Sequence, residues 1–310
     1  MIVNQHKETL KRLSSKVINN LYLLSGAPNP RAVNKVSKIE SFLSQYHLYA
    51  IQFQNLHKQN TLGIDVGFKN FSYCKTTGKE FPLEITKWEK LQLYQKFGTD
   101  YQNILQENSI LDKQRYNCHI ANKLVSYLNL ESCNVKIMEV QRTRSGGNSA
   151  TLPIVQDNRD LERAIFGKVY PGILFPVEVN KMINYWVYAH VNQESKKKLT
   201  QYRKKWRAEL VLSWYGKLYT LPGFKEQHLT KKGLLEFLDL DAREKIDDLI
   251  DSLLYNLYIN STFSNLKEFG KCLHEGNNDL TGVVEKRLRF HRDLLQPIYD
   301  KYELKWKDVN

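Results

Sequence analysis

Hydrophobic positions at Leu10, Leu13, Val17, Leu21 and Leu24 fall three and four residues apart, the spacing of one helix face. The stretch "SGAPNP" at 25–30 breaks this pattern, and Val33, Val36, Ile39 and Leu43 resume it over 31–46. Two short helices about a Gly/Pro turn are therefore predicted, followed by a polar linker, "QNLHKQN", at 54–60. The period then shortens to that of strands. "TLGIDVG" (61–67), "NFSYCKTT" (70–77) and "PLEITKW" (82–88) read as three strands joined by hairpins. Beyond them the pattern predicts a helix over 112–130, with Ile120, Leu124 and Leu128 on one side, and a fourth strand over 134–141. A helix over about 155–168 and a fifth strand over 173–179 follow. Further helices are predicted over 196–215, 231–239, 242–262 and 282–303. Three antiparallel strands followed by helix–strand units imply an α/β fold with a mixed sheet flanked by helices.

Composition narrows the class. The 310 residues are 42% hydrophobic and 25% charged, which is the make-up of a folded globular chain of one or two domains. No apolar run approaches the roughly 20 residues of a membrane helix, so a soluble protein is expected. Lys and Arg number 46 against 33 Asp and Glu, a net charge of +13. Such an excess points first to nucleic acid, whose phosphates release counterions when neutralised, and second to an acidic membrane surface. Cysteines at 74, 118, 133 and 272 form no C-x-x-C pair, and the eight histidines show no ligand spacing with them. That argues against zinc and against a disulfide framework, and for a reducing compartment or buried thiols. The start, "MIVNQHKETLKRLSSKVINN", is basic and poor in acid, compatible with organelle targeting, though an ordinary helix is the preferred reading.

The candidate chemistry lies in carboxylates that interrupt apolar segments. Asp65 stands in "TLGIDVG", where a single Asp-x-Gly would ordinarily be a turn cap shaped by Gly67. Glu139 repeats the arrangement in "KIMEVQ", just before the turn-rich "RSGGNS". "EKIDDLIDSLLYNLY" at 244–258 then sets Asp247, Asp248 and Asp251 on the first turns of an apolar helix. Residues three and four apart share a helix face, so Asp251 projects with Asp247 or with Asp248. Acid enrichment at a helix start accounts for Asp247 and Asp248, but less well for Asp251, which continues into Leu254, Tyr255 and Tyr258. Two like charges about 4 Å apart cost about 4 kcal/mol at an effective dielectric of 20. A convergence of such acids is tolerable with divalent cations, and two Mg²⁺ ions suit an all-oxygen ligand set and phosphodiester hydrolysis. With the basic balance, these acids favour a metal-dependent nuclease.

"LGIDVGFKNFSYC", "MEVQRTRSGG" and "KIDDLIDSLL", in that order, resemble the fungal mitochondrial Holliday junction resolvases, the RuvC-type branch of the RNase H-like nucleases. The resemblance implies an RNase H-like mixed five-stranded sheet flanked by helices, its first three strands antiparallel. It also implies a small N-terminal helical segment similar to a SAP motif, which divides the chain into a module at 1–53 and a nuclease domain at 60–310 with helical insertions and C-terminal helices. Asp65, Glu139 and Asp251 match metal-binding, catalytic acids of the family. The fourth acid is Asp247 or Asp248, with Asp248 favoured because D-x-x-D is the bacterial spacing. The family cuts opposed strands of four-way junction DNA as a homodimer in mitochondria, with Mg²⁺ and with Mn²⁺ able to substitute. No small-molecule cofactor and no membrane partner are expected.

Gln141, Arg142 and Arg144 directly follow Glu139 and are candidate DNA contacts, since an arginine can fork onto phosphate oxygens. "KKKLTQYRKKWR" at 196–207 offers Lys197, Lys198, Arg203, Lys204 and Lys205, with Tyr202 and Trp206 interleaved for stacking on bases. The plain alternative for both is a solvated surface. Two competing functions stand beside the junction nuclease. One is another RNase H-like enzyme of ribonuclease H or transposase type, and the other is a non-catalytic DNA-binding protein.

Overall fold

A computed structural model describes residues 2–29, 32–105, 109–140, 153–274 and 279–307. In chain order the elements are α1 (Ile2–Arg12), α2 (Ser15–Leu24), α3 (Lys35–Gln52), β1 (Asn60–Asp65), β2 (Phe71–Thr77), β3 (Leu83–Leu91), α4 (Leu93–Phe97), α5 (Ile110–Leu128), β4 (Val135–Glu139), α6 (Pro153–Val169) and β5 (Phe175–Val177). Then come α7 (Val179–Ile183, continued by a π-turn at Asn184–Tyr188), α8 (Gln193–Gln201), α9 (Arg203–Ser213), β6 (Tyr219–Thr220), α10 (Lys231–Phe237), α11 (Asp247–His274) and α12 (Leu280–Lys301). The chain forms two compact units. One holds residues 59–182 and 211–256, the other 1–58, 183–210 and 257–310. The segments 183–210 and 257–310 fall in the same unit as the N-terminal helices.

The first unit carries a six-stranded sheet of order β5-β4-β1-β2-β3-β6. β1, β2 and β3 are antiparallel neighbours, while β4 runs parallel to β1, and β5 to β4. The two-residue β6 adds a sixth strand beside β3, too short for a hydrophobic period to reveal. β1 is buried on both sides. One side presents Leu62 and Ile64 with Phe71, Tyr73, Leu91 and Met138 to a core that includes Ile120, Leu124 and Leu128 of α5 and Leu161 and Ile165 of α6. The other side presents Thr61, Gly63 and Asp65, and receives the first turns of α11.

Gly63 makes that approach possible. A Cβ at this position would lie 3.0 Å from Asn256 Cβ and overlap the carbonyl oxygen of Ser252. Asn256 then fixes the register. Its amide donates to the carbonyls of Thr61 and Cys74 at 3.1 Å each, and its oxygen accepts from Thr76 Oγ1 at 2.8 Å. Trp88 Nε1 adds a bond to the Leu249 carbonyl at 3.0 Å. The helix starts at Asp247 rather than 242 because the Asp241 carboxylate accepts from the Arg243 backbone N–H at 2.8 Å, an Asx turn that competes with helix. It also runs to His274, past the predicted end at 262.

The second unit is helical. The single helix predicted over 8–24 is two, because Ser14 caps α2 by accepting from Val17 N–H at 3.3 Å. Asn34 caps α3 in the same way, through Ser37 N–H at 2.8 Å, which leaves Val33 outside the helix and exposed. The predicted helix over 196–215 is also two, α8 and α9, meeting at Tyr202. Asn265 donates to the Leu24 carbonyl at 2.8 Å and lies 3.1 Å from the Tyr185 hydroxyl, which also bonds Ser261. Beside Tyr185, the rings of His190 and His291 stack at 5.0 Å, both buried. Burial, helped by the nearby charges of Arg292 and Lys307, lowers the His190 imidazole to about 4 against the pull of its bond to the Tyr185 carbonyl. His291 is lowered as well, by burial and by His190 and Arg287, and neither of its ring nitrogens has a hydrogen-bond partner. No described helix is long and apolar enough to cross a membrane.

Two outcomes are expected. Asn256→Ala leaves two buried carbonyls and a hydroxyl without their partner, and should cost about 2–4 kcal/mol in urea unfolding. For the histidines, the native pKa lies below the unfolded value, so their stabilisation is complete above about pH 6.5 and is lost as pH falls toward 4. Thermal melts at pH 7.5 and pH 5 should show that loss, and His190→Gln should reduce it.

Candidate active site

A row of polar side chains crosses the sheet beneath the start of α11. Asp65, the last residue of β1, pairs with Ser72 of β2, and Ser72 pairs with Lys90 of β3. Cross-strand partners point to the same side of a sheet, so these three share the α11 face. On the other side of β1, the pairing of Ile64 with Met138 sets Asp65 and Glu139 abreast, at the C-terminal ends of two parallel strands. The row therefore reads Glu139, Asp65, Ser72, Lys90. Alternation carries each acid onto this face, because the residue before it, Ile64 or Met138, belongs to the opposite core.

The helix supplies the remaining acids. Ser72 Oγ donates to the Asp248 carbonyl at 2.5 Å, which seats the first turn of α11 directly over β2. Asp248 and Asp251, three apart, project from one face of that turn. Lys90 Nζ lies 3.2 Å from Asp248 Oδ2, 2.9 Å from Glu244 Oε2 and 3.0 Å from the Lys245 carbonyl oxygen. Asp65 is buried, while Glu139, Asp248 and Asp251 are each half-buried.

Asp65 registers the electrostatics of the cluster. Burial, a hydrogen bond with Glu139, and the charges of Glu139, Asp251 and Asp248 together push its carboxyl well above the usual carboxylate range. Contact between the two carboxyl groups disfavours the charged form of the more buried one, which is the direction in which Asp65 is displaced. The three acids acting on it come from two separate elements, Glu139 from β4 and Asp248 and Asp251 from α11. Asp247, half-buried on the same turn, is not among the groups that bear most on Asp65.

Among the described residues, no group of three or more His, Cys, Asp or Glu side chains stands ready-arranged to hold a metal ion. The forces explain this. Lys90 occupies one carboxyl oxygen of Asp248, and the charges of Glu139, Asp251 and Asp248 bear unfavourably on Asp65. An all-oxygen donor set under mutual repulsion fits a hard divalent cation, which would turn repulsion into attraction.

The candidate DNA contacts separate into three groups. Gln141, Arg142 and Arg144 lie outside the described residues. Lys197, Lys204 and Lys205 are exposed on α8 and α9, Arg203 is half-buried, and Lys198 pairs with Glu303 at 3.2 Å. These five belong to the helical unit, whereas the acids belong to the sheet unit. The expected stacking platform is reduced to Tyr202, because Trp206 is 1% exposed and donates its indole N–H to the Leu199 carbonyl at 2.8 Å. Trp206 falls on the inward side of α9, where its ring fills the unit's interior. Sequence reasoning passed over Ser72, Lys90 and Asn256. The available signal was polarity at strand positions whose period-two neighbours, Cys74 and Trp88, are inward-facing, and an asparagine inside the apolar run "LLYNLY".

A profile of the family described as "Mitochondrial resolvase Ydc2 / RNA splicing MRS1" matches residues 61–269. Among solved structures, that of the yeast mitochondrial Holliday junction resolvase Ydc2 superposes with a TM-score of 0.53 at 17% identity, covering 84% of this chain and 99% of that one. The likeness at that identity is one of fold. T. thermophilus RuvC in complex with a Holliday junction substrate aligns with a TM-score of 0.33 at 9% identity, covering 64% of this chain and 92% of that one. No curated protein sequence matches.

Because Asp65 is held against like charges, Asp65→Asn should raise the stability of the metal-free protein by about 1–2 kcal/mol near pH 7.5. The check is chemical denaturation in the presence of a chelator. A destabilised variant would show that the crowding is already relieved.

Proposed function

The chain belongs to the mitochondrial resolvase Ydc2 / RNA splicing MRS1 family, and on that premise we propose that it is a structure-selective endonuclease that resolves four-way DNA junctions by paired phosphodiester hydrolysis. The observation that supports this reading above the others is Asp65, a buried carboxyl at the end of a central strand, pressed by Glu139, Asp248 and Asp251. A protein that only bound nucleic acid would gain nothing from a cluster that destabilises its own fold. That weighs against a purely architectural role, and against reading the chain as an RNA-splicing factor without nuclease chemistry.

In this reading Asp65, Glu139, Asp248 and Asp251 are the catalytic acids and hold two Mg²⁺ ions, for which Mn²⁺ can substitute. Asp248 is preferred to Asp247 because its charge bears on Asp65 and its oxygen meets Lys90. Such ions supply an activated water and charge stabilisation at the leaving oxygen. The chain's own residues do the rest. Asp65 and Glu139 would offer carboxylate oxygens from the ends of two adjacent parallel strands. Asp248 and Asp251 bring two more from a helix whose position Ser72 and Asn256 fix. Arg142 and Arg144, with Gln141, follow β4 directly and are proposed to hold phosphates beside the scissile bond. Lys197, Lys198, Arg203, Lys204 and Lys205 are proposed to track the backbone of a junction arm by charge rather than by base stacking. A homodimer would offer one site to each of two opposed strands, matching the two-fold symmetry of the substrate. The N-terminal helices, similar to a SAP motif, form a further proposed DNA-binding segment, and the expected compartment is the mitochondrion.

The test is a synthetic four-way junction with and without Mg²⁺. Asp65→Asn and Asp251→Asn should each retain junction binding and lose at least about a hundredfold in cleavage rate. Cleavage of an RNA–DNA hybrid in preference to the junction would favour the ribonuclease H type, and wild-type cutting by either variant would remove that acid from the site.

A further inference from the structure

Lys90 places its ammonium against Asp248, and its surroundings are unusual for a lysine. Its side chain is 5% exposed, at the floor of a surface cleft of about 360 Å³ that Asn70, Asp241, Arg243, Glu244 and Lys245 also line. A buried ammonium needs its three donors satisfied. Here they go to one carboxylate of the proposed active site, Asp248, to one carboxylate outside it, Glu244, and to the Lys245 carbonyl. The ammonium is thus divided between the acid cluster and an independent anchor.

We infer that Lys90 is a positioning residue that acts as a resident counter-ion: it holds Asp248 while the site is without metal and surrenders that carboxylate, keeping Glu244 and the Lys245 carbonyl, when a divalent cation binds. This rests on the metal-dependent reading given above. The geometry supplies both halves of the exchange. Ser72 pins the backbone of residue 248 by its carbonyl, so the carboxylate can turn while the helix stays in place. Glu244, 2.9 Å from Nζ, leaves the ammonium paired after Asp248 turns away, so no uncompensated buried charge is created. Lys90 therefore weakens cation binding by occupying a ligand and by adding positive charge, and in return it keeps Asp248 from collapsing into disordered repulsion with Asp251 and Asp65. Charge at this separation is strong enough to matter, since unit charges about 4 Å apart interact by about 4 kcal/mol at an effective dielectric of 20.

The experiment is calorimetric titration of MnCl₂ into metal-free, DNA-free protein at neutral pH. Lys90→Met should bind Mn²⁺ roughly three- to thirtyfold more tightly than wild type, although the same variant loses junction cleavage. Glu244→Gln should bind it more weakly, because Asp248 is then the one carboxylate left to the ammonium among its described contacts. Lys245→Met, which removes a neighbouring charge whose side chain is exposed, should stay within about twofold. Should Lys90→Met prove too unstable to titrate, the Glu244→Gln result decides. Weaker or unchanged binding by Lys90→Met, or unweakened binding by Glu244→Gln, overturns the inference while leaving the nuclease reading intact. An equal gain in Lys245→Met also overturns it, by showing a general field effect. Absence of Mn²⁺ binding by the wild-type protein would overturn both.

Discussion

Asn256 holds the start of α11 against β1 and β2 with three buried hydrogen bonds, and the placement of the acids at this face depends on that seating. The amide bridges two strand carbonyls and a strand hydroxyl, so the helix cannot slide along the sheet without leaving buried backbone groups unpaired. Gly63 lets the helix backbone come close enough for those bonds to form. Between one and just over two turns toward its N-terminus, the same helix carries Asp251 and Asp248. Their distance from Asp65 is thereby set by neutral, close-packed contacts rather than by the acids, which left to themselves would separate.

The arrangement separates two tasks that conflict. Holding carboxylates together is unfavourable, and a site that did so with its own side chains would drift apart. Here the unfavourable part is confined to one row, Glu139, Asp65, Ser72 and Lys90, flanked by apolar packing on the far face of the sheet. Ser72 contributes a bond to the backbone of Asp248 and leaves its carboxylate free to rotate. Lys90 contributes charge. The cluster is in consequence a crowded set of acids whose mutual charge is unfavourable.

The helical unit follows different physics. Its interior is aromatic and amide-rich, with Tyr185, Trp186 and His291 in ring contact and Asn265 tying Leu24 to Tyr185. Its basic helices place Lys197, Lys204 and Lys205 at the surface while Trp206 and Arg207 are taken inside. Charge and packing thus share the same amphipathic segments, which is why a basic run with aromatics looked in sequence like a stacking platform and proved to be half core.

How much of this was legible beforehand depends on the range of the interaction. The five main strands and the helices α5, α6 and α12 were readable because period-two and period-3.6 alternation are local properties, and so was the oddity of Asp65, Glu139 and Asp251 inside apolar segments. Helix ends were not, because Ser14 and Asp241 decide them through single side-chain bonds that a periodicity cannot register. Nor could spacing alone choose between Asp247 and Asp248. Sequence by itself determined the alternation that puts an acid at the end of each of two strands, and the identity of the family. Tertiary structure alone decided that Asn256 would be the bolt, that Lys90 would face the acids from a third strand, and that 183–210 and 257–310 would join the N-terminal helices. Each of those depends on residues tens to hundreds of positions apart meeting in space, and no local pattern encodes which partner a buried polar group will find.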